Sequence, residues 1–338
     1  MSEERAKGPL VWLTEAQVAA LVDLNDAMAA LRTGFIEEAE GRAKAVDKAL
    51  GQWPGGAMHA LGSMSPGQHY AGFKTWVHTD KGATAIFSLF DTRDGQLLAV
   101  LEAATLGQIR TSAVSGLAAD VLAAPGADEM ALIGTGAQAL TQVAAVAAVR
   151  PLRRLRVYSP TADKRAAFVE KARAQFGFEV IDSPSLDDAV RDVPIVTLIT
   201  RASAPFLDAG LLSPGVLLIA AGAILPANAE CLPNVLERST GIYVDSLRNA
   251  QLNSRELREY FGEDGDGWKA VRTLGALLSE GGALLADRDI TMFKPMGTGL
   301  SDLSVAIMAY ERAMAQGIGL SIDQPQRVMP RWRTVDVK

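Results

Sequence analysis

The sequence is short of several residue types, and each shortage excludes something. Only one of its 338 residues is a cysteine, Cys231. A single thiol excludes an intramolecular disulfide and a thiolate metal cluster, and it fits a reducing compartment. Cys231 itself reads as a small buried hydrophobe. The three histidines, His59, His69 and His78, lack the i, i+4 spacing on one helix that zinc sites favour, so no metal is expected. Positive charge is not in excess either. A net charge of −6 and a pI near 5.3 leave no broad field for a phosphate backbone, and nucleic acid is not an expected partner. No apolar run approaches the ~20 residues of a membrane span. The segment Met1 to Gly8 is charged and lacks the apolar core of a signal peptide, so a cytoplasmic location away from membranes is expected. Internal repeats and low-complexity tracts are missing.

What is present is length and apolar content. With 338 residues and 49% hydrophobic residues, the chain has material for two packed cores. Thr14 and Gln17 have the spacing of a capping box before an apolar run, and a second periodic stretch covers Asp26 to Ala39, so the chain is expected to open with two helices. Between Lys44 and Glu102, glycine-punctuated segments such as Tyr70 to His78 and Thr84 to Phe90 read as sheet. Leu106 to Ala123 reads as helix. Pro125-Gly126-Ala127 marks a boundary.

From Glu129 onward short apolar runs alternate with helical segments: Met130 to Ile133, Leu155 to Tyr158, Glu179 to Ile181, Ile195 to Ile199, Val216 to Ala221 and Ile242 to Val244. That alternation predicts an α/β, doubly wound parallel sheet. Ser301 to Gln316 reads as a last helix that packs back on the first domain, followed by a polar tail. The expected division is residues 126–299 as a Rossmann-type domain, and residues 1–125 together with 300–338 as a smaller, discontinuous α+β domain.

The strongest local signal is Ile133-Gly134-Thr135-Gly136-Ala137-Gln138-Ala139, a G-x-G-x-x-A turn between an apolar strand and an apolar helix. Gly134 permits the tight bend, Gly136 lets the backbone approach a pyrophosphate, and Ala139 allows close helix packing. Free amides from Thr135 to Gln138 at the helix start would hold the phosphates. The next strand ends in Tyr158-Ser159-Pro160-Thr161 rather than in a carboxylate. Ser159 does not repel a 2′-phosphate, Thr161 can donate to one, and Lys164 and Arg165 follow a turn later, so NADP is favoured over NAD. The alternative is that Lys164 and Arg165 form only the solvated face of a helix.

Gly72-Phe73-Lys74, Ala85 to Asp91 with Gly95, Arg110-Thr111-Ser112-Ala113, the glycine turn, Val244-Asp245-Ser246 and Phe293-Lys294-Pro295-Met296-Gly297 follow one another along nearly the whole chain. This ordered set resembles the ornithine cyclodeaminase and mu-crystallin family. The resemblance implies a Rossmann domain and a substrate domain that dimerises through its sheet, with the active site in the cleft between them. It implies that Lys74 and Arg110 bind the carboxylate of a small substrate and that Thr111 and Gly297 lie along the cofactor. A third cation expected after Gly41 is Lys48 or Lys44. Asp302 either faces the nicotinamide side of the cleft or caps its own helix. His78 shares an even offset with Lys74 and is a candidate proton donor, or a surface histidine. Asp245 closes a strand and is expected to shape the adjoining turn.

The cyclodeaminases carry an aspartate at the position aligned with Ile224 in Gly222-Ala223-Ile224-Leu225-Pro226. An isoleucine cannot accept a proton, whereas reduction of a preformed imine needs only hydride delivery, carboxylate anchoring and one proton source. The expected activity is therefore NAD(P)H-dependent reduction of a 2-imino acid or cyclic ketimine, or reductive amination of a 2-oxo acid. The alternatives are an ornithine- or lysine-type cyclodeaminase holding NAD, and a mu-crystallin-like NADP-dependent binding protein.

Overall fold

The computed structural model describes residues 8–263, 265–282 and 288–330. The architecture is α/β, with two sheets. The first has seven strands in the order Leu320–Ile322, Leu10–Leu13, Leu97–Glu102, Gly82–Asp91, Tyr70–Thr79, Gly56–Ser65 and Lys44–Trp53. Its long members form an antiparallel meander in which strand register decides what each side chain faces. On one face Val46, Met58, Met64, Phe73 and Val77 from three neighbouring strands are exposed. Lys74, Trp76 and His78 point to the other face, on the side packed by the helix Gly299–Gln316.

The second sheet has eight strands, all parallel, in the order Val271–Thr273, Ser239–Val244, Ile290–Lys294, Val216–Ala220, Ile195–Leu198, Glu129–Ile133, Arg154–Tyr158 and Glu179–Asp182. The order reverses beside Glu129–Ile133, and in open sheets of this kind ligands bind outside the carboxyl ends of the strands at that switch point. The central strands Ile195–Leu198, Val216–Ala220 and Ile290–Lys294 are buried throughout and mostly apolar, because helices cover both faces. One core is continuous from the first sheet through the helix Ala104–Leu122 onto one face of the parallel sheet, and a second core fills the opposite face.

The ends of the chain differ from the sequence expectation. The described chain opens with a strand, Leu10–Leu13, before the helices Glu15–Leu21 and Leu24–Ala39. The tail after Gly317 contains Leu320–Ile322, which pairs antiparallel with that strand. Both are short and gain their hydrogen bonds only from distant partners, so neither has a local signal. The Thr14–Gln17 capping box forms in both directions. Among the described residues no helix is long and apolar enough to cross a membrane.

Candidate active site

The site is built around one buried carboxylate. Thr298, not Asp302, caps the helix Gly299–Gln316 through its side chain. The capping role considered for Asp302 is thereby corrected. Ser63 Oγ donates to the Gly299 carbonyl at 2.8 Å and pins the helix start to the sheet. Asp302, in the first turn, has no exposed surface. Its Oδ1 accepts from Lys74 Nζ at 2.7 Å and from Arg110 Nε at 3.2 Å, while its Oδ2 is buried with no partner among the described residues.

Lys74 is only 5% exposed. Burial depresses its pKa to about 8; Asp302 opposes that shift, and Arg110 and Lys48 add to it. Room for the ammonium comes from Gly107, where an added Cβ would stand 3.3 Å from Lys74 Nζ. Arg110 uses its Nε on Asp302 and donates to no other partner among the described residues, so the planar Nη edge of its guanidinium stays available. Above it lies Gly297, at φ +81°, where a Cβ would come within 3.0 Å of Arg110 Nη1. The Gly297 loop is held by Asp245, whose carboxylate accepts from the Met296 and Gly297 amides at 2.7 and 2.8 Å, and by Asn249, which donates to the Gly297 carbonyl at 2.7 Å. Asp245 thus organises the turn after a neighbouring strand rather than the one adjoining its own.

Of the two lysines considered for the third cation, Lys48 is the one beside Lys74 and Arg110. Lys44 pairs with Met64 in register and shares its outward face. The Lys48 ammonium lies 5.5 Å from the centroid of Trp76 and Lys74 Nζ lies 5.2 Å from the same centroid. Burial, then Arg110, lowers the pKa of Lys48. Lys74 and Arg110 therefore share one carboxylate and Lys48 stands beside them over Trp76, which leaves a surplus of positive charge at the cluster. Sequence reading missed Trp76 and His59. The His59 ring stacks on Trp76 with centroids 4.4 Å apart, and His59 Nε2 lies 3.3 Å from His78 Nδ1. The signal for His59 was its register with Trp76, which sequence spacing alone does not reveal.

The glycine turn sits at the carboxyl end of Glu129–Ile133. Gly134 has φ +112°, and a Cβ there would come within 2.7 Å of the Ile199 carbonyl of the adjacent strand; only glycine fits. A Cβ on Gly136 would meet nothing. The amides of Gly136, Ala137 and Gln138 find no acceptor among the described residues, and no side chain caps the helix Ala139–Ala147 that follows. Unpaired donors beside open space at a helix N-terminus suit a pyrophosphate. One helix joins this turn to the cationic cluster: Gln108 donates to the Ala137 carbonyl at 3.2 Å, and the Thr111 carbonyl accepts from Gln142 at 3.4 Å. The Thr111 hydroxyl turns back to the Gly107 carbonyl, and Thr135 stays partly exposed in the turn.

At the end of the next strand Ser159 is buried, while Thr161 and Lys164 are exposed. Arg165 stacks on Tyr158, 5.8 Å from its centroid, donates to the Ser159 carbonyl at 2.8 Å and pairs with Asp182. At the carboxyl end of Ile290–Lys294, the fully buried Lys294 pairs with Glu256 at 2.5 Å. Glu256 accepts the Glu230 and Cys231 amides, and Glu230 accepts from Thr200, Gly222 and Ala223. This buried set ties together the two loops that follow Ile195–Leu198 and Val216–Ala220. Ile224, in the second loop, is exposed.

The chain is similar to known proteins over most of its length. The chain is 32% identical over 245 residues to the Delta(1)-pyrroline-2-carboxylate reductase of Bacillus cereus, covering 72% of this chain and 75% of that protein. It is 27% identical over 322 residues to the alanine dehydrogenase of Archaeoglobus fulgidus, covering 92% and 97%. The solved structure of an archaeal alanine dehydrogenase dimer with bound NAD superposes with a TM-score of 0.85 at 25% identity, covering 93% of this chain and 99% of that one. A profile of the ornithine cyclodeaminase/mu-crystallin family matches residues 10–317, so the resemblance read from the ordered motifs holds and the chain belongs to that family.

Proposed function

We propose that the protein is a nicotinamide-dinucleotide-dependent reductase of small 2-imino acids. The observation that carries this reading is the pairing of Lys74 and Arg110 on Asp302, with Lys48 beside them over Trp76, one helix away from the glycine turn, whose amides from Gly136 to Gln138 have no acceptor among the described residues. The turn from Gly134 to Gln138 would hold the pyrophosphate, with Thr111 and Gly297 alongside, and a bound reduced nicotinamide supplies a hydride. Arg110 grips the substrate carboxylate by two parallel hydrogen bonds, and Lys74 adds a point charge. Lys48 closes the mouth as the third charge. Asp302 fixes Lys74 and Arg110 relative to each other, so the C=N carbon is held in one orientation. Such positioning contributes ~7–11 kcal/mol in well-oriented systems.

Similarity to a pyrroline carboxylate reductase and to an alanine dehydrogenase supports a C=N bond next to a carboxylate as the shared chemistry. Ile224, without a carboxyl, supports reduction over cyclodeamination. For the cofactor we favour NADPH over NADH, because Ser159 offers no carboxylate and Arg165 and Lys164 lie nearby; the pairing of Arg165 with Asp182 takes up part of its charge. The packing of Gly299–Gln316 on the first sheet supports residues 1–125 with 300–338 as the substrate unit and 126–299 as the dinucleotide unit, although residues 1–7 and 331–338 lie outside the described residues. The exposed apolar face of the meander supports a homodimer joined through that sheet.

The test is oxidation of NADPH or NADH by the purified protein with Δ1-pyrroline-2-carboxylate, and with 2-oxo acids plus ammonia or methylamine. Amino acid formed in equal amount is expected. No turnover with any of these, together with ammonia release from L-ornithine, overturns the reading.

A further inference from the structure

We propose that His59 and His78 form a relay that carries a proton from solvent to the cleft during imine reduction, an inference that rests on the reductase reading. The two rings stand on neighbouring strands, 5.2 Å apart between centroids and 22° from parallel, with His59 Nε2 and His78 Nδ1 at hydrogen-bonding distance, 3.3 Å. The outer member, His78, is exposed. Nδ1 of the inner member, His59, is buried and has no partner among the described residues. His59 stacks on Trp76, the ring shared by the ammonium groups of Lys74 and Lys48. One end of the pair therefore meets water and the other lies beside the cationic cluster.

The charged groups around His59 keep its ring from storing a proton. Lys48 and His78 act on it directly, Lys74 shares its aromatic neighbour, and Arg110 and Asp302 lie beyond Lys74. Burial first, then Lys48 and His78, hold its pKa at about 4. A neutral imidazole can still pass a proton, because one nitrogen accepts as the other donates. The reduction consumes one hydride and one proton. The imine nitrogen takes the proton from His59 Nδ1, while a bound reduced dinucleotide would supply the hydride that completes the reduction at carbon. His59 Nε2 is reprotonated by His78 Nδ1, and His78 Nε2 by water. Both rings end in the opposite tautomer and return by exchange with solvent.

The relay is tested with His59→Gln and His78→Gln, using Δ1-pyrroline-2-carboxylate. For His59→Gln, kcat is expected to fall by about a hundredfold, the scale of a lost general acid, with cofactor affinity and KM unchanged. The solvent deuterium isotope effect on kcat should grow, and added imidazole should restore part of the rate. His78→Gln should show the same pattern more weakly, since water can reach His59 once the outer ring is gone. His78 is exposed, so that variant decides the matter if His59→Gln does not fold. Unchanged kcat and isotope effect in both variants, or a loss confined to KM without imidazole rescue, overturns the relay while leaving the reductase reading intact. A wild-type protein that turns over no 2-imino acid overturns both.

Discussion

Replacing Asp302 by Asn tests the electrostatics of the cluster directly. Asp302 is the carboxylate bonded to both Lys74 and Arg110, and its Oδ1 lies 2.7 Å from Lys74 Nζ. At an effective dielectric of about 20, a pair at that separation interacts by about 6 kcal/mol. One pH unit of pKa shift corresponds to about 1.4 kcal/mol. Only about a quarter of the interaction must survive relaxation and solvent screening for the Lys74 pKa to drop by a full unit. The direction follows from the causes: burial already brings Lys74 to about 8, and Asp302 opposes that fall. Without it the ammonium loses its proton at lower pH.

The assay is the affinity of pyrrole-2-carboxylate, which has the carboxylate but no basic nitrogen, measured by calorimetry from mildly acid to alkaline pH. In the wild type binding should weaken as pH rises through about 8, where Lys74 loses its charge. In Asp302→Asn the weakening should begin at least about one unit lower. Below that midpoint affinity should not fall, because the removed negative charge no longer opposes the ligand. Thermal melting of the variant controls for folding. The same midpoint in both proteins, with the variant folded, would refute the coupling of Asp302 to Lys74.

Four further outcomes follow from the same geometry. Arg110→Met should lower kcat/KM by about a hundredfold while NADPH affinity and melting temperature hold, and Arg110→Lys should recover only part, since an ammonium lacks the planar fork; an unstable variant with unchanged KM counts against the assignment. Fluorescence titration should show NADPH bound more tightly than NADH, and Ser159→Asp should reverse the order. Val77→Glu, on the apolar outer face, should shift the protein toward monomer in sedimentation velocity, and an unaltered profile counts against that face as the dimer contact. Lys294→Met leaves Glu256 and Glu230 buried without their cation and should cost ~3–5 kcal/mol in denaturant unfolding, with recovery when Glu256→Gln is added.

Much of the parallel sheet was legible because its signals are local. Apolar runs bounded by turns, the glycine turn and the Thr14–Gln17 capping box each lie within a few residues, and the strands and cap formed where those signals stood. The edge strands Leu10–Leu13 and Leu320–Ile322 were not legible, since each is defined by partners at the other end of the chain. The cationic cluster divides in the same way. Residue type and order marked Lys74 and Arg110, but their meeting on Asp302 joins residues 228 and 192 positions apart.

His59 and His78 are 19 residues apart, and no spacing rule links them. Strand register brings them together, with His59 opposite Trp76 and Ala57 opposite His78. The choice between Lys44 and Lys48 shows the limit most clearly. Four residues apart on a regular strand, they would share one face. Between Val46 and Ala49 the strand advances three residues while its partner advances two, from Gly62 to Ala60. That single extra residue reverses the alternation, because a strand repeats every two residues. Lys44 is left on the outer face and Lys48 is turned over Trp76. The sequence by itself determined that a lysine was at hand; the bulge, a property of strand pairing, decided which one joins the cationic cluster.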